Sequence, residues 1–143
     1  MDNKEFVFIE QEFNAPIDKV WKAITFAEEL EHWFFEIDEF ELKQGFVFTF
    51  YEGGEEEKYL HICRILEIMP LAKLSYSWKY QDIDGNSTVS FYLNKQDEKT
   101  LLKLVHEGIN SFRNEKPDFT KEYFEKKWNN LINYSLKEFI ENN

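Results

Sequence analysis

Read for hydrophobic periodicity, the chain changes between period two and helical spacing three times. Its last stretch, Thr120 to Glu141, carries the longest helical pattern. Stepping about 100° per residue from Trp128, the side chains of Phe124, Leu131, Ile132, Ser135, Leu136 and Phe139 fall between roughly −60° and +80°. Lys126, Lys127, Asn130, Asn133, Lys137 and Glu141 fall on the other side. The pattern predicts one amphipathic helix of about 21 residues, roughly 31 Å long. Thr120 is placed to N-cap it, Phe119 to staple onto Phe124, and Pro117 to block any earlier helix from running in. Ser135 interrupts the apolar stripe, and its hydroxyl calls for a carbonyl, a water or a ligand.

The rest of the chain reads as sheet around two short helices. Lys4 to Phe13 alternates as a strand, with Val7, Ile9, Gln11 and Phe13 on one face. Asn14-Ala15-Pro16 ends it, and Ile17, Val20, Trp21 and Ile24 have helical spacing after Pro16. A second helix is predicted over Ala27 to Phe34, with Thr25 as its N-cap. Period two then returns in Ile37–Leu42, Phe46–Tyr51, Lys58–Met69, Lys73–Tyr80, Val89–Asn94 and Lys99–Glu107. Gln44-Gly45, Gly53-Gly54, Pro70 and Asp84-Gly85-Asn86 separate these runs as turns. Residues 108–117 read as a polar loop. Strands joined by short turns imply an antiparallel meander, and only the long helix can cover its apolar face. The first strand then pairs most simply with the last. The expectation is α+β: one domain over residues 1–143, with a curved antiparallel sheet around a long C-terminal helix and two short helices after the first strand.

Composition narrows the function classes. Aromatic residues make up 18% of the chain, which suits a shell around a cavity as well as a solid core. The single cysteine, Cys63, excludes an internal disulfide. No run approaches the length of a membrane span, and the first residues lack the apolar stretch of a signal peptide. A cytoplasmic location without membrane insertion is expected. Residues 1–60 hold 5 basic and 16 acidic side chains, so the whole net charge of −11 lies there. Such a surface argues against nucleic acid and anionic lipid, and offers a docking face for a basic protein partner.

The element order is that of the helix-grip fold, and particular residues resemble a family. They are Asn14-Ala15-Pro16, Val20-Trp21-Lys22-Ala23-Ile24-Thr25, Leu30, Trp33, Gly45, Pro70, Leu74, Trp78, the run Thr100 to His106, Trp128 and Leu136-Lys137. Over nearly its whole length the chain resembles the START-like (SRPBCC) superfamily, and within it the domain of the activator of heat-shock protein 90 ATPase. The resemblance implies a cavity between helix and sheet for a small hydrophobic or amphipathic molecule. The eukaryotic chaperone activators also carry a separate N-terminal domain that grips the chaperone, which these residues do not include. Ligand binding is therefore expected rather than chaperone activation.

Candidate chemistry follows from the inner faces. The ligand-cavity candidates are Trp33, Phe48, Arg64, Tyr76, Trp78, Phe91, His106, Trp128 and Ser135. His106 shares a face with Leu102 and Leu104, either as a bonded core histidine or as a ligand contact. Arg64 faces inward if Leu60, Ile62, Leu66 and Ile68 do, the register favoured by aliphatic count unless a bulge intervenes. A buried guanidinium would need a carboxylate partner, from the protein or from a ligand. Arg64 and His106 are thus the expected polar anchors. His61 and Cys63 lie two apart, too few groups for a metal site. No catalytic group and no cofactor are expected, and no nucleophile or phosphate-loop motif occurs. The leading expectation is a non-enzymatic binding protein, monomeric or weakly dimeric. The alternatives are a chaperone-associated or stress-related module using the acidic face, or a cyclase- or hydratase-like enzyme built on His106.

Overall fold

In the computed structural model, which describes residues 6–53, 58–112, 116 and 118–142, strand β1 (Phe6–Phe13) runs directly into the helices α1 (Ile17–Thr25) and α2 (Ala27–Trp33). Pro16 begins α1 as expected. Thr25 does not cap α2. Its hydroxyl donates back to the Trp21 carbonyl at 2.7 Å, and Phe26 takes the cap position.

Five strands follow: β2 (Val47–Gly53), β3 (Lys58–Met69), β4 (Lys73–Tyr80), β5 (Ser87–Gln96) and β6 (Lys99–Glu107). With β1 they form one antiparallel sheet in the order β1-β6-β5-β4-β3-β2. The first strand does pair with the last, Val7 opposite His106 and Phe13 opposite Thr100. The strand expected over Ile37–Leu42 is absent from the sheet. The half-buried apolar positions there are pins rather than ladder residues. Phe40 packs edge-on to Phe48 at 5.1 Å, while Phe35 stacks on Phe50 at 4.7 Å. Phe48 and Phe50 are the inward side chains of β2, so this segment clasps the inner face instead of extending the edge.

The register of β3 corrects a second expectation. Tyr59, His61, Cys63 and Ile65 point into the core, and Arg64 is exposed on the outer face. The pairing with β2, Phe50 opposite His61 and Phe48 opposite Cys63, fixes this phase. A bulge between Ile65 and Glu67 then reverses it, so Ile68 turns inward opposite Leu74. Each of the two registers read from the sequence therefore describes one half of the strand, and the aliphatic count mixed both halves.

The expected polar loop contains a 3₁₀ turn, Ile109–Phe112, whose two apolar ends are buried. It docks on the β4–β5 turn. Ser111 Oγ donates to the Asn86 carbonyl at 2.8 Å and accepts from the Asn86 amide at 2.9 Å. Gly85, at φ +120°, is required here because a Cβ would lie 2.5 Å from Phe112 Cδ1.

The C-terminal helix starts where expected. Thr120 Oγ1 accepts from the Tyr123 amide at 3.1 Å, and Phe119 lies against Phe124 at 6.1 Å between ring centres. Pro117 lies outside the described residues. The helix is continuous but not uniform: α3 (Lys121–Asn130), a π-helical turn (Leu131–Leu136), then α4 (Lys137–Glu141). A π turn holds about one extra residue, which turns everything after it by roughly one helical position, about 100°. Ser135 is consequently exposed, and its place in the stripe passes to Leu136. Phe139 likewise yields the fully buried position to Ile140. Hydrogen bonds hold the turn in phase: Gln11 of β1 donates to Asn133 Oδ1 at 2.7 Å, and Asn133 donates on to Asn129.

Candidate functional site

The space between helix and sheet is filled by side chains. Trp33, Phe48, Tyr76, Trp78, Phe91 and Trp128 are all buried there; the last five are linked ring to ring, and Trp33 joins them through Phe34. Trp128 sits 5.5 Å from Trp78 and 6.0 Å from Phe91, while Tyr76 meets Phe48 at 5.1 Å. Trp33 is tied to α1 through its indole N–H, which donates to the Ala23 carbonyl at 2.8 Å. Six of the nine sequence candidates thus form one contiguous aromatic core. Arg64 and Ser135 lie outside it, on the outer sheet face and the exposed side of the helix.

His106 lies within the core, and both of its nitrogens are engaged. Trp128 Nε1–H donates to His106 Nδ1 at 2.9 Å. An accepting Nδ1 places the proton of the neutral ring on Nε2, which then donates to Ser87 Oγ at 2.8 Å. The Ser87 hydroxyl in turn donates to the Trp78 carbonyl at 3.0 Å. The chain closes with every polar atom used, which is the arrangement of a structural histidine. Burial, helped by the neighbouring His61, lowers its pKa to about 3, so the ring stays neutral. Neither expected anchor is therefore free to hold a ligand here: Arg64 faces solvent, and the nitrogens of His106 are committed.

A recess of about 540 Å³ opens at one end of the helix instead, between the start of α3, the end of β2 and Phe35. Leu131, Tyr123 and Phe35 give it an apolar wall. Its polar centre is the ion pair of Lys127 with Glu52, whose side chains are only 10% and 29% exposed. The Lys127 ammonium also lies 4.9 Å from the Tyr123 ring centre and 5.7 Å from that of Phe35. Tyr123 is fixed by donating its hydroxyl to the Gly53 carbonyl at 3.3 Å. Burial, with the charges of Glu52 and Asp118, pushes its phenol pKa upward, so it remains a neutral donor. Asp118 at the rim accepts from the Tyr59 hydroxyl at 2.8 Å.

This recess was not read from the sequence. Lys127 falls on the polar side of the helical wheel, where a lysine signals solvent. Its pairing with Glu52 spans 75 residues and leaves no local trace. The one available signal was Phe35, an extra aromatic just beyond the second predicted helix. Among the described residues no group of three or more metal-ligating side chains converges. No helix of the described residues is long and apolar enough to cross a membrane.

Comparison with known proteins places this geometry in a family. The sequence model described as "Activator of Hsp90 ATPase homolog 1-like protein" matches residues 14–141. Among solved structures, protein BH1534 of Bacillus halodurans is 27% identical, with 96% of this chain and 97% of that chain covered at a TM-score of 0.75. CalU16 of Micromonospora echinospora is 26% identical over 96% of this chain and 74% of its own, at a TM-score of 0.74. Mll3558 of Rhizobium loti shares the fold at a TM-score of 0.81 with 14% identity, covering 95% and 96% of the two chains. No curated protein matches significantly.

Proposed function

Because the chain belongs to the activator of Hsp90 ATPase homolog 1-like family, on a fold commonly used to bind ligands, we propose that it is a binding protein for a small amphipathic molecule. The ligand sits in the recess at the start of α3, not in the packed space around His106 and Trp128. The observation carrying this reading is the Lys127–Glu52 pair, held mostly out of water at the centre of a concave, aromatic-walled site. The recess volume of about 540 Å³ falls within the range of small-molecule sites.

The energetics require both halves of such a ligand. Covering 200–300 Å² of apolar ligand surface is worth roughly 5–7 kcal/mol before association costs. That alone gives weak binding. A polar group that exchanges with Glu52 for the Lys127 ammonium, or joins the pair, supplies selectivity and the remaining affinity.

The test is a thermal-shift screen against fatty acids, sterols, aromatic polyketides and flavonoids, followed by titration of any hit against Lys127→Met. A ligand at 100 times its dissociation constant adds about 2.7 kcal/mol, a shift of roughly 8 °C for a domain of this size. Lys127→Met should weaken a true ligand at least fivefold while leaving the fold intact. No shift with any class, or a hit indifferent to the substitution, would overturn the reading.

A further inference from the structure

Of the buried polar side-chain atoms among the described residues, only His61 Nε2 has no hydrogen-bond partner. The other ring nitrogen settles its chemistry. His61 Nδ1 lies 2.9 Å from the Tyr59 carbonyl, which can only accept, so Nδ1 carries the proton. In the neutral ring Nε2 is then a bare acceptor. The contrast with His106, whose two nitrogens are both engaged, lies within one core. A buried acceptor left unmet is destabilising, and a bound donor would recover that loss.

The surroundings of this nitrogen define what could reach it. His61 stacks on Phe50 at 4.5 Å and meets the edges of Tyr80 at 4.6 Å and Trp78 at 5.0 Å. Phe35 stacks on the same Phe50 at 4.7 Å, with its centre 6.5 Å from that of His61. Phe35 also lines the recess. Phe35 thus touches both the recess and the Phe50 ring on which His61 stacks. Phe35 follows α2 in a segment with no strand or helix to fix it, held by ring contacts and by the Lys127 ammonium above it.

Resting on the binding role argued above, we propose that the recess continues past Phe35 to His61 and takes a flat aromatic molecule bearing a neutral hydroxyl. The aromatic body replaces Phe35 against Phe50, and the hydroxyl donates to His61 Nε2. An acceptor-only nitrogen turns away a carboxylate, and an apolar ring box turns away an ammonium group. Burial, with the nearby Lys127 charge, outweighs the pull of the Tyr59 and Phe50 carbonyls and holds the pKa of His61 at about 3, so the ring stays neutral at neutral pH.

The experiment compares naphthol with methylnaphthalene, nearly equal in shape and different in the donor. Calorimetry on the full chain should give naphthol the tighter binding by about tenfold, the worth of one satisfied buried bond. His61→Phe should abolish that ratio while retaining methylnaphthalene binding. Phe35→Ala should strengthen both. Nitrogen NMR of the native protein supplies a reading independent of any variant. The His61 Nε2 resonance should move upfield with naphthol and stay in place with methylnaphthalene. Equal binding of both probes, a ratio that survives His61→Phe, or a stationary Nε2 resonance would overturn this inference and leave the recess as a binding site. Failure of both probes to bind would overturn this inference, while the amphipathic-ligand reading would stand or fall with the Lys127 screen.

Discussion

Replacing His106 with leucine tests whether the histidine is structural. Leucine has nearly the volume of imidazole, so the cavity term is small. What is lost is the acceptor for the Trp128 indole N–H, now 2.9 Å away and fully buried. Orphaning that donor costs about 1–3 kcal/mol. The edge contacts of the ring with Trp78 at 5.3 Å and Phe124 at 5.2 Å add about 1 kcal/mol. Ser87 keeps its bond to the Trp78 carbonyl, so the damage does not spread. The expected loss is about 2–4 kcal/mol. Urea unfolding measures it as a lower midpoint at unchanged slope. Trp128→Phe in the same background removes the orphaned donor along with its lost acceptor. The double variant should therefore fall short of the summed losses by about 1–2 kcal/mol. A His106→Leu variant within about 0.5 kcal/mol of the native protein, or strict additivity, would refute the closed network.

Three further outcomes follow. His61 and His106 each have a folded pKa of about 3 against an ordinary 6.5, so the unfolded chain binds more protons at intermediate pH. Stability is full above pH 6.5 and falls as the pH drops, by about 1.4 kcal/mol per histidine per pH unit well below the unfolded value, levelling off only near pH 3; urea midpoints from pH 7 to 5 check this, and His61→Phe should halve the slope there. Gly85→Ala should cost roughly 2–4 kcal/mol, from the positive φ and the clash with Phe112, and would be seen as a lower melting temperature. Arg64→Ala should change stability by less than about 0.5 kcal/mol and leave ligand affinity untouched, because the side chain is on the outer face; a larger loss would place it inward after all.

The fold was legible because periodicity and turn chemistry agreed. Alternation in β2, β4 and β6, helical spacing in α1, and the Thr120 cap all came from neighbours in sequence. Two of the misreadings, in β3 and in the last helix, share one cause, a local change of phase that composition does not record. The bulge after Ile65 inverts half of β3, and the π turn shifts the last quarter of the helix. Both place the same residue types on the opposite face. The Ile37–Leu42 segment failed differently: inward aromatic residues look alike whether their backbone joins a ladder or lies across one. For the site, the sequence located the large inner side chains but not whether they enclose space. Packing density is decided by pairs such as Trp78 with Trp128, which lie 50 positions apart. Lys127–Glu52 and the unmet His61 nitrogen are likewise products of folding, visible only once distant strands meet the helix.

The π turn also has a consequence for how this chain is compared with others. A π-helical turn is, in genetic terms, a tolerated single-residue insertion: the added residue is absorbed within one turn and the flanking turns keep their contacts. A homologue whose helix is α-helical throughout would need one residue fewer between Trp128 and Leu136 to seat the same side chains. An ungapped alignment of the two would match Ser135 of this chain to a core leucine and Phe139 to the residue that does the work of Ile140. The mismatch would read as loss of the hydrophobic stripe, although the three-dimensional stripe is intact. One gap within residues 131–136 restores it.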